Sequence, residues 1–349
     1  MHYGIKTLFL FFTIILLAGC AKVPLSTFNL SKKGKPQTIA FYNTEKLYDT
    51  INDPNTDDDP FLPEGELNWT QEKYARKIAN IAGVIREIGG GNGPEVIGLA
   101  EVENVQVVQD LVNSNELRKS KYSIIHVNLP GEQGLDIALL YKPRAFKPTS
   151  QQIIKIDNGR SQPSSGGILQ VNGELQGEPV TLFINHWPAR MRRNTQEDSN
   201  LRAAALALRK EITALQVANK DARIIVMGDF DAEPAAPVIK DVLKATGRPN
   251  PYYNKELFNT FYMAFVNGQG SFYSRGDFMM LDQIMISKSL IDGRGLEYIR
   301  GSEHIYNPEK IKFLYGKYKN TPRGTFSGTT YFGGYSDHFP IYIQVRESK

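Results

Sequence analysis

Five short apolar runs in this chain are each bounded at one end by an ionisable side chain. Glu95 to Ala100 runs into Glu101, Val180 to Asn185 into His186, and Arg223 to Gly228 into Asp229. Gln283 to Ser287 follows Asp282, and Pro340 to Val345 follows Asp337-His338. Runs of this length, rich in aliphatic and β-branched residues, predict buried strands. Three of them end on their charged group and two begin on it. If the two sets run antiparallel in packed sheets, all five positions gather at one rim. Each residue alone has a plain structural role open to it, since Asp and Asn serve turns and caps and a single histidine is commonly a hydrogen-bonded structural group. Five such residues at strand ends predict a site.

Helical stretches alternate with these runs. Thr70 can cap a helix in which Ile78, Ile81, Ala82, Ile85 and Ile88 recur at helical spacing before Gly89. Asn104 can cap a shorter one through Val108, Leu111 and Val112, and a long one passes through Leu201, Ala204, Leu208, Ile212 and Leu215. Tyr122 to Val127 and Leu135 to Tyr141 predict two more strands. A chain of 349 residues has room for two domains, yet no repeat or low-complexity linker divides it, so one α/β domain from residue 38 to 349 is expected. The 41% hydrophobic and 11% aromatic content excludes disorder, and a single cysteine excludes a disulfide framework. With 41 basic against 37 acidic residues the formal charge is +4, which permits an anionic substrate without requiring one.

The N-terminus has a different character. Lys6 precedes an apolar stretch from Thr7 to Leu17, about half the length that spans a bilayer. It ends in Leu17-Ala18-Gly19-Cys20, which resembles the lipobox of bacterial lipoproteins. Residues 1–19 are therefore expected to be a signal peptide and Cys20 the lipidated start of the mature chain. Residues 20–37 would be a polar tether, and the protein would be anchored at the bacterial cell envelope, facing periplasm or exterior.

Glu101, Asp229, Asp231, Asp282 and Asp337 at one rim would repel one another unless cations or protons neutralised them. Oxygen donors without thiolates suit Mg²⁺, Mn²⁺ or Ca²⁺, and too few cysteines and histidines are present for a structural zinc site. Of the five histidines, only His186 and His338 stand beside these strand ends. Two histidines with metal-binding carboxylates suit phosphoester hydrolysis, where charge on the phosphoryl group must be stabilised and a water oriented.

Six strings occur in order: FYNTEKLYD from Phe41, VIGLAEVEN from Val96, FINHWPAR from Phe183, VMGDFDAEP from Val226, LDQIMIS from Leu281 and YSDHFPIYI from Tyr335. Together they resemble the endonuclease/exonuclease/phosphatase superfamily, which includes deoxyribonuclease I, over Thr38 to Glu347. The resemblance implies a four-layer α/β/β/α sandwich with two packed mixed β-sheets. It implies roles for Asn43 on the scissile phosphate or the nucleophile's carboxylate, for Glu101 as principal metal ligand, and for Glu45 as an auxiliary one. It gives His186 a contact to phosphate or leaving group, Asp229 the attacking water, Asp282 the orientation of His338, His338 the phosphate oxygens, and Asp337 a place in the metal environment. Trp187, Arg190 and Arg202 would contact substrate. Asp136 would either support the site or start its strand. Where the family usually has Asn after Gly-Asp-Phe, this chain has Asp231, which can bind a second cation or stay protonated among its acidic neighbours.

Two further segments stand out. Asp49 to Asp59 is strongly acidic without the spacing of an EF-hand, and reads as a solvated turn or a calcium site. Lys310 to Lys319 interleaves lysines with Phe313, Tyr315 and Tyr318, and reads as a solvated hairpin or a nucleic-acid track. The expected activity is metal-dependent phosphodiester hydrolysis, acting as a nuclease on extracytoplasmic nucleic acid with no protein partner implied. The alternatives are a phosphatase or phosphodiesterase for phospholipid, inositol phosphate or sugar phosphate, and a catalytically impaired lipoprotein that binds phosphorylated ligands.

Overall fold

Alternation of side chains along the strands sets the layers. In the computed structural model, Ile39 and Phe41 of β1 (Gln37–Leu47) face a second sheet, while Ala40 and Tyr42 face helices on the other side. The structure describes residues 34–129, 131, 133–157, 166–187, 199–248 and 255–348. The signal, Cys20 and most of the tether lie outside them, as does Arg190. Among the described residues no helix is long and apolar enough to cross a membrane.

The first sheet joins β1 to β2 (Val96–Val102), β3 (Ser123–Val127) and β4 (Asp136–Tyr141). The second holds β5 (Phe146–Ile154), β6 (Gly167–Leu175), β7 (Glu178–His186), β8 (Ile224–Asp229), β9 (Ala245–Thr246) and β10 (Leu257–Asn259). The chain next makes a hairpin of β11 (Phe272–Ser274) and β12 (Asp277–Met279), then returns to the second sheet as β13 (Asp282–Ser287). It closes the first sheet with β14 (Gly295–Tyr298), β15 (His304–Ile305) and, after a hairpin of β16 (Phe326–Ser327) and β17 (Thr330–Tyr331), β18 (Ile341–Ser348). The first sheet runs β14-β18-β1-β2-β4-β3, with β15 beside β18, and the second β5-β6-β7-β8-β13-β10-β9. Both are mixed, since β1 is parallel to β2 and β7 to β8 while their other neighbours in these sheets are antiparallel.

Helix α1 (Gln71–Glu87) starts where the Thr70 side chain accepts from the Lys73 amide, and α2 (Val105–Asn113) where Asn104 accepts from Val107, as their capping sequences predict. Both pack on the outer face of the first sheet, whereas α3 (Ser199–Ala218) lays Leu201, Ala204, Leu208 and Ile212 against Phe183 and Val226 of the second. The expected four-layer sandwich results. Strands β2, β7 and β8 run toward the same rim from which β13 and β18 leave, because β8 and β13 pair antiparallel with Asp229 opposite Asp282, and β18 runs antiparallel to β1.

Gly228 makes this rim possible. A Cβ on it would lie 2.3 Å from the Asn185 carbonyl oxygen on the neighbouring strand, so β7 and β8 cannot accommodate a side chain there without backbone movement. Gly228→Ala is expected to destabilise the protein by about 1–3 kcal/mol, measured as a lower denaturant midpoint at unchanged slope; an unchanged midpoint would contradict this packing.

Candidate active site

Asn43 is fully buried near the rim end of β1, and its Nδ2 donates to Glu101 Oε1 at 3.0 Å and to Asp229 Oδ2 at 3.0 Å. One amide thus ties a carboxylate of the first sheet to one of the second. Its own carbonyl Oδ1 accepts from the Glu45 amide at 3.0 Å, which fixes which end of the amide faces the acids. The backbone around it is bulged: pairing shifts register between Asn43 and Leu47 and again between Ala100 and Val102. Glu45, Lys46 and Glu101 take left-handed φ values of 54°, 49° and 61° there. Such bulges re-aim side chains at sheet ends. They bring the Lys46 amide onto Glu101 Oε2 at 2.9 Å.

On the other side of Asp229, His338 Nδ1 meets Asp282 Oδ2 at 2.7 Å, and His338 Nε2 lies 3.8 Å from Asp229 Oδ2. The Ser336 hydroxyl accepts from the His338 amide and donates to the Asn43 carbonyl, linking the two arms. Burial opposes charge on His338, but Asp282, Asp229 and Asp337 outweigh it and hold the imidazole well above its ordinary basicity. His186, in register with Asp229, places Nε2 3.7 Å from Glu101 Oε1.

Glu45, Glu101 and Asp337 line an open cleft of about 510 Å³. Partial burial, and with it the negative charge of Glu45 and Glu101, pushes the half-exposed Asp337 carboxyl up to about 7. Oxygen-only donors on an open wall fit a hard divalent cation. The tightest group lies deeper: ligand atoms of Asp229, Asp282 and His338 fall within 4.8 Å of one another, and no other trio of His, Cys, Asp or Glu among the described residues is so close. That trio could hold an ion, but its histidine is already hydrogen-bonded to Asp282 and favours the charged form. The cleft wall suits a cation such as Mg²⁺ better, since that ion commonly uses one or two carboxylates and keeps its waters.

Lys77 escaped the sequence reading. From α1 its Nζ reaches Glu45 Oε2 at 3.2 Å and the Tyr335 carbonyl at 2.6 Å, with the side chain 1% exposed. Glu45 Oε2 also accepts from the Thr325 amide and hydroxyl, each at 2.7 Å. The available signal was spacing: Lys77 stands three residues after Tyr74 and four before Ile81, on the apolar face of its helix.

The remaining sequence-predicted residues divide between the site and the scaffold. Asp231, at φ 43°, donates its amide to Asp229 Oδ1 at 3.0 Å, so its position is set by a left-handed turn that Asn and Asp tolerate. Trp187 does not meet substrate: it is 1% exposed, bonds Asn185 Oδ1 through Nε1 and packs edge-on against Phe230, a core role under α3. Arg202 is exposed in the first turn of α3. Asp136 is structural, accepting from the Leu129 amide and lying 2.9 Å from His126 Nε2.

A model of the Endonuclease/Exonuclease/phosphatase family matches residues 38–347. Similar solved structures include humanized D. rerio TDP2 with 14 mutations, at 13% identity and TM-score 0.52 over 89% of this chain and 98% of that one. The human Nocturnin catalytic domain with bound sulfate anion aligns at 16% identity and TM-score 0.54, covering 89% and 94%. Bacteroides thetaiotaomicron mannosyl-6-phosphatase Bt3783 aligns at 13% and 0.54, covering 88% and 99%. No curated protein matches the sequence. At these identities the structural likeness speaks for the fold.

The acidic segment beside the cleft folds on itself: Asp58 accepts from the Asp53 amide, Asp59 from Asn52, and Asp53 from Asn55. Buried Glu103 accepts from the Asp49 amide, and burial, reinforced by Asp49, Asp58 and Asp53, pushes its carboxyl up to about 8. A carboxyl raised on folding binds a proton more tightly in the native state, so its stabilising contribution is complete below its unfolded value near 4.3 and is lost as pH rises toward 8. Glu103→Gln is expected to flatten the fall in melting temperature between about pH 5 and 8; an unaltered slope would remove Glu103 as its source.

Proposed function

Because the chain belongs to the endonuclease/exonuclease/phosphatase family, whose activity is phosphoester hydrolysis, we propose that it is a divalent-metal-dependent phosphodiesterase acting as a nuclease on nucleic acid outside the cytoplasm. The observation that carries this reading is the pairing of an oriented carboxylate, Asp229, with a cationic His338 3.8 Å away. Charge selects among phosphoesters. Glu45, Glu101, Asp229, Asp231, Asp282 and Asp337 stand against His338 and the buried Lys77, an acidic surplus that penalises a monoester near two negative charges more than a singly charged diester.

The chain's own groups divide the work. Asp229 has Oδ1 on the Asp231 amide and Oδ2 on Asn43, which fixes the carboxylate while leaving lone pairs to accept a proton from the attacking water. His338, oriented by Asp282, donates from Nε2 to a phosphoryl oxygen. His186 stands on the Glu101 side, where it contacts phosphate or the departing oxygen. Glu101, with Asp337 and Glu45 and with Asp231 nearby, would hold Mg²⁺ or Mn²⁺, with Ca²⁺ a third candidate. When bound, such an ion neutralises charge developing on the phosphoryl group. Lipidation at Cys20 would keep the enzyme at the envelope, facing substrate outside the cytoplasm.

Purified protein is expected to cleave DNA or RNA strands with Mg²⁺ or Mn²⁺ and to lose this in EDTA. Asp229→Asn should lower kcat by about 10²–10⁴-fold. Phosphate release from monoesters with no strand cleavage would replace the nuclease reading by a phosphatase one; ligand binding without turnover under any metal would overturn the enzyme itself. In Asp282→Asn the alkaline limb of kcat/KM should move to lower pH, because His338 loses the carboxylate that most favours its charge. A limb that stays in place would detach it from His338.

A further inference from the structure

Beside the cleft lies a second, smaller cavity of about 180 Å³ walled by Tyr273, Phe313, Tyr318, Phe326 and Phe332. Asp337 and Phe326 line both spaces, so they adjoin at the carboxylate edge of the site. The cavity is below the roughly 300–1,000 Å³ of a pocket enclosing a whole drug-sized ligand, and suits a single ring system. Its walls are fixed. Segment 311–323 is a hairpin in which Phe313 and Thr321 pair through their backbones at 3.0 Å and Arg323 bonds the Ile311 carbonyl at 2.9 Å. Phe313 meets Phe332 edge-on at 5.2 Å, and a bridge between Phe272 and His338 ties the strand bearing Tyr273 to the catalytic histidine.

The chemistry of these walls selects a planar, π-bearing ligand. Tyr318 and Phe332 are 43% and 39% exposed, so their rings are available to stack. Lys317 Nζ stands 4.7 Å from the Tyr318 ring centroid, so a cation accompanies this ring and can meet a phosphate flanking the stacked group. Besides the rings the lining carries Thr321, Ser327 and Asp337, and the Thr321 hydroxyl is already given to the Tyr318 carbonyl at 2.7 Å. We propose that this cavity is a subsite for one nucleobase of the substrate, seated next to the scissile phosphate, and that the enzyme therefore prefers single-stranded or frayed nucleic acid, where a base is free to leave its stack. This inference rests on the nuclease reading. Base–aromatic stacking is sequence-tolerant and costs no base-specific contacts, consistent with a general strand-degrading activity.

The test compares a single-stranded oligonucleotide with an abasic strand of the same length and charge. The wild-type protein is expected to favour the base-bearing strand in kcat/KM by about 5- to 150-fold, the usual worth of one stacked base. That ratio should fall toward one in Tyr318→Ala and in Phe332→Ala and survive in Tyr318→Trp; taking the ratio within each variant removes losses from folding. In parallel, 2-aminopurine in the strand should be quenched on mixing with wild-type protein and less so with Tyr318→Ala. A wild-type ratio near one, or a ratio that neither alanine variant lowers, overturns the subsite. Cleavage without quenching overturns the subsite and leaves the nuclease reading standing. Quenching without cleavage sustains the subsite and overturns the nuclease reading.

Discussion

The rim depends on one buried amide. Asn43 stands near the bulged end of β1, in the middle of the first sheet, and gives its two Nδ2 protons to Glu101 on the same sheet and Asp229 on the other. Hydrogen bonds to charged groups contribute about 1.5–3 kcal/mol each, and here they offset repulsion between carboxylates that the sheet packing forces together. A hydroxyl has one proton and a carboxylate none, so no residue of similar size but an amide bridges both acids. Ser336 and the Glu45 amide hold Asn43 in turn, which converts two sheet ends into a single rigid platform.

Much of this is legible in the sequence, for a definable reason. Strands bounded by Glu101, His186, Asp229, Asp282 and His338 are short and apolar, and the direction in which each chain segment meets its charged residue encodes the rim. Helix caps at Thr70 and Asn104 were equally explicit. The edge strand β5 was not, since Thr149, Ser150, Gln151, Gln152 and Ile153 are exposed in succession on both of its faces in place of an alternating pattern. Lys77 is less explicit, because a lysine on a helix is ordinarily solvent-facing: its spacing on the apolar face signals burial, and only tertiary contact reveals Glu45 as its partner. Trp187 was misassigned because its string is shared with site residues, whereas just past the end of β7 its side chain turns into the core beneath α3 while its amide bonds the Asp229 carbonyl.

The acidic turn and the lysine-aromatic hairpin show how the same composition signals diverge in three dimensions. In the first, the side chains satisfy neighbouring backbone amides and make a self-contained turn. In the second, the backbone pairs with itself between Phe313 and Thr321 and the aromatic rings line an open cavity. Charge runs therefore gain meaning from what their backbone leaves unsatisfied.

Four residues around the site, Glu45, Lys46, Glu101 and Asp231, sit in the left-handed region without being glycine. Each such conformation costs on the order of 1–3 kcal/mol, and it persists because the sheets beneath are dry and continuous: Ile39, Phe41, Ile184, Met227 and Ile284 are all fully buried between them. The sandwich supplies the stability and the rim consumes some of it. That division explains why the polar groups converge at strand ends, where bulges can re-aim side chains, and not along the strands, where a single register shift would turn the inter-sheet core outward. A rim strained by its backbone and overloaded with negative charge is complementary to a divalent cation, which offsets the repulsion that the sheet packing creates.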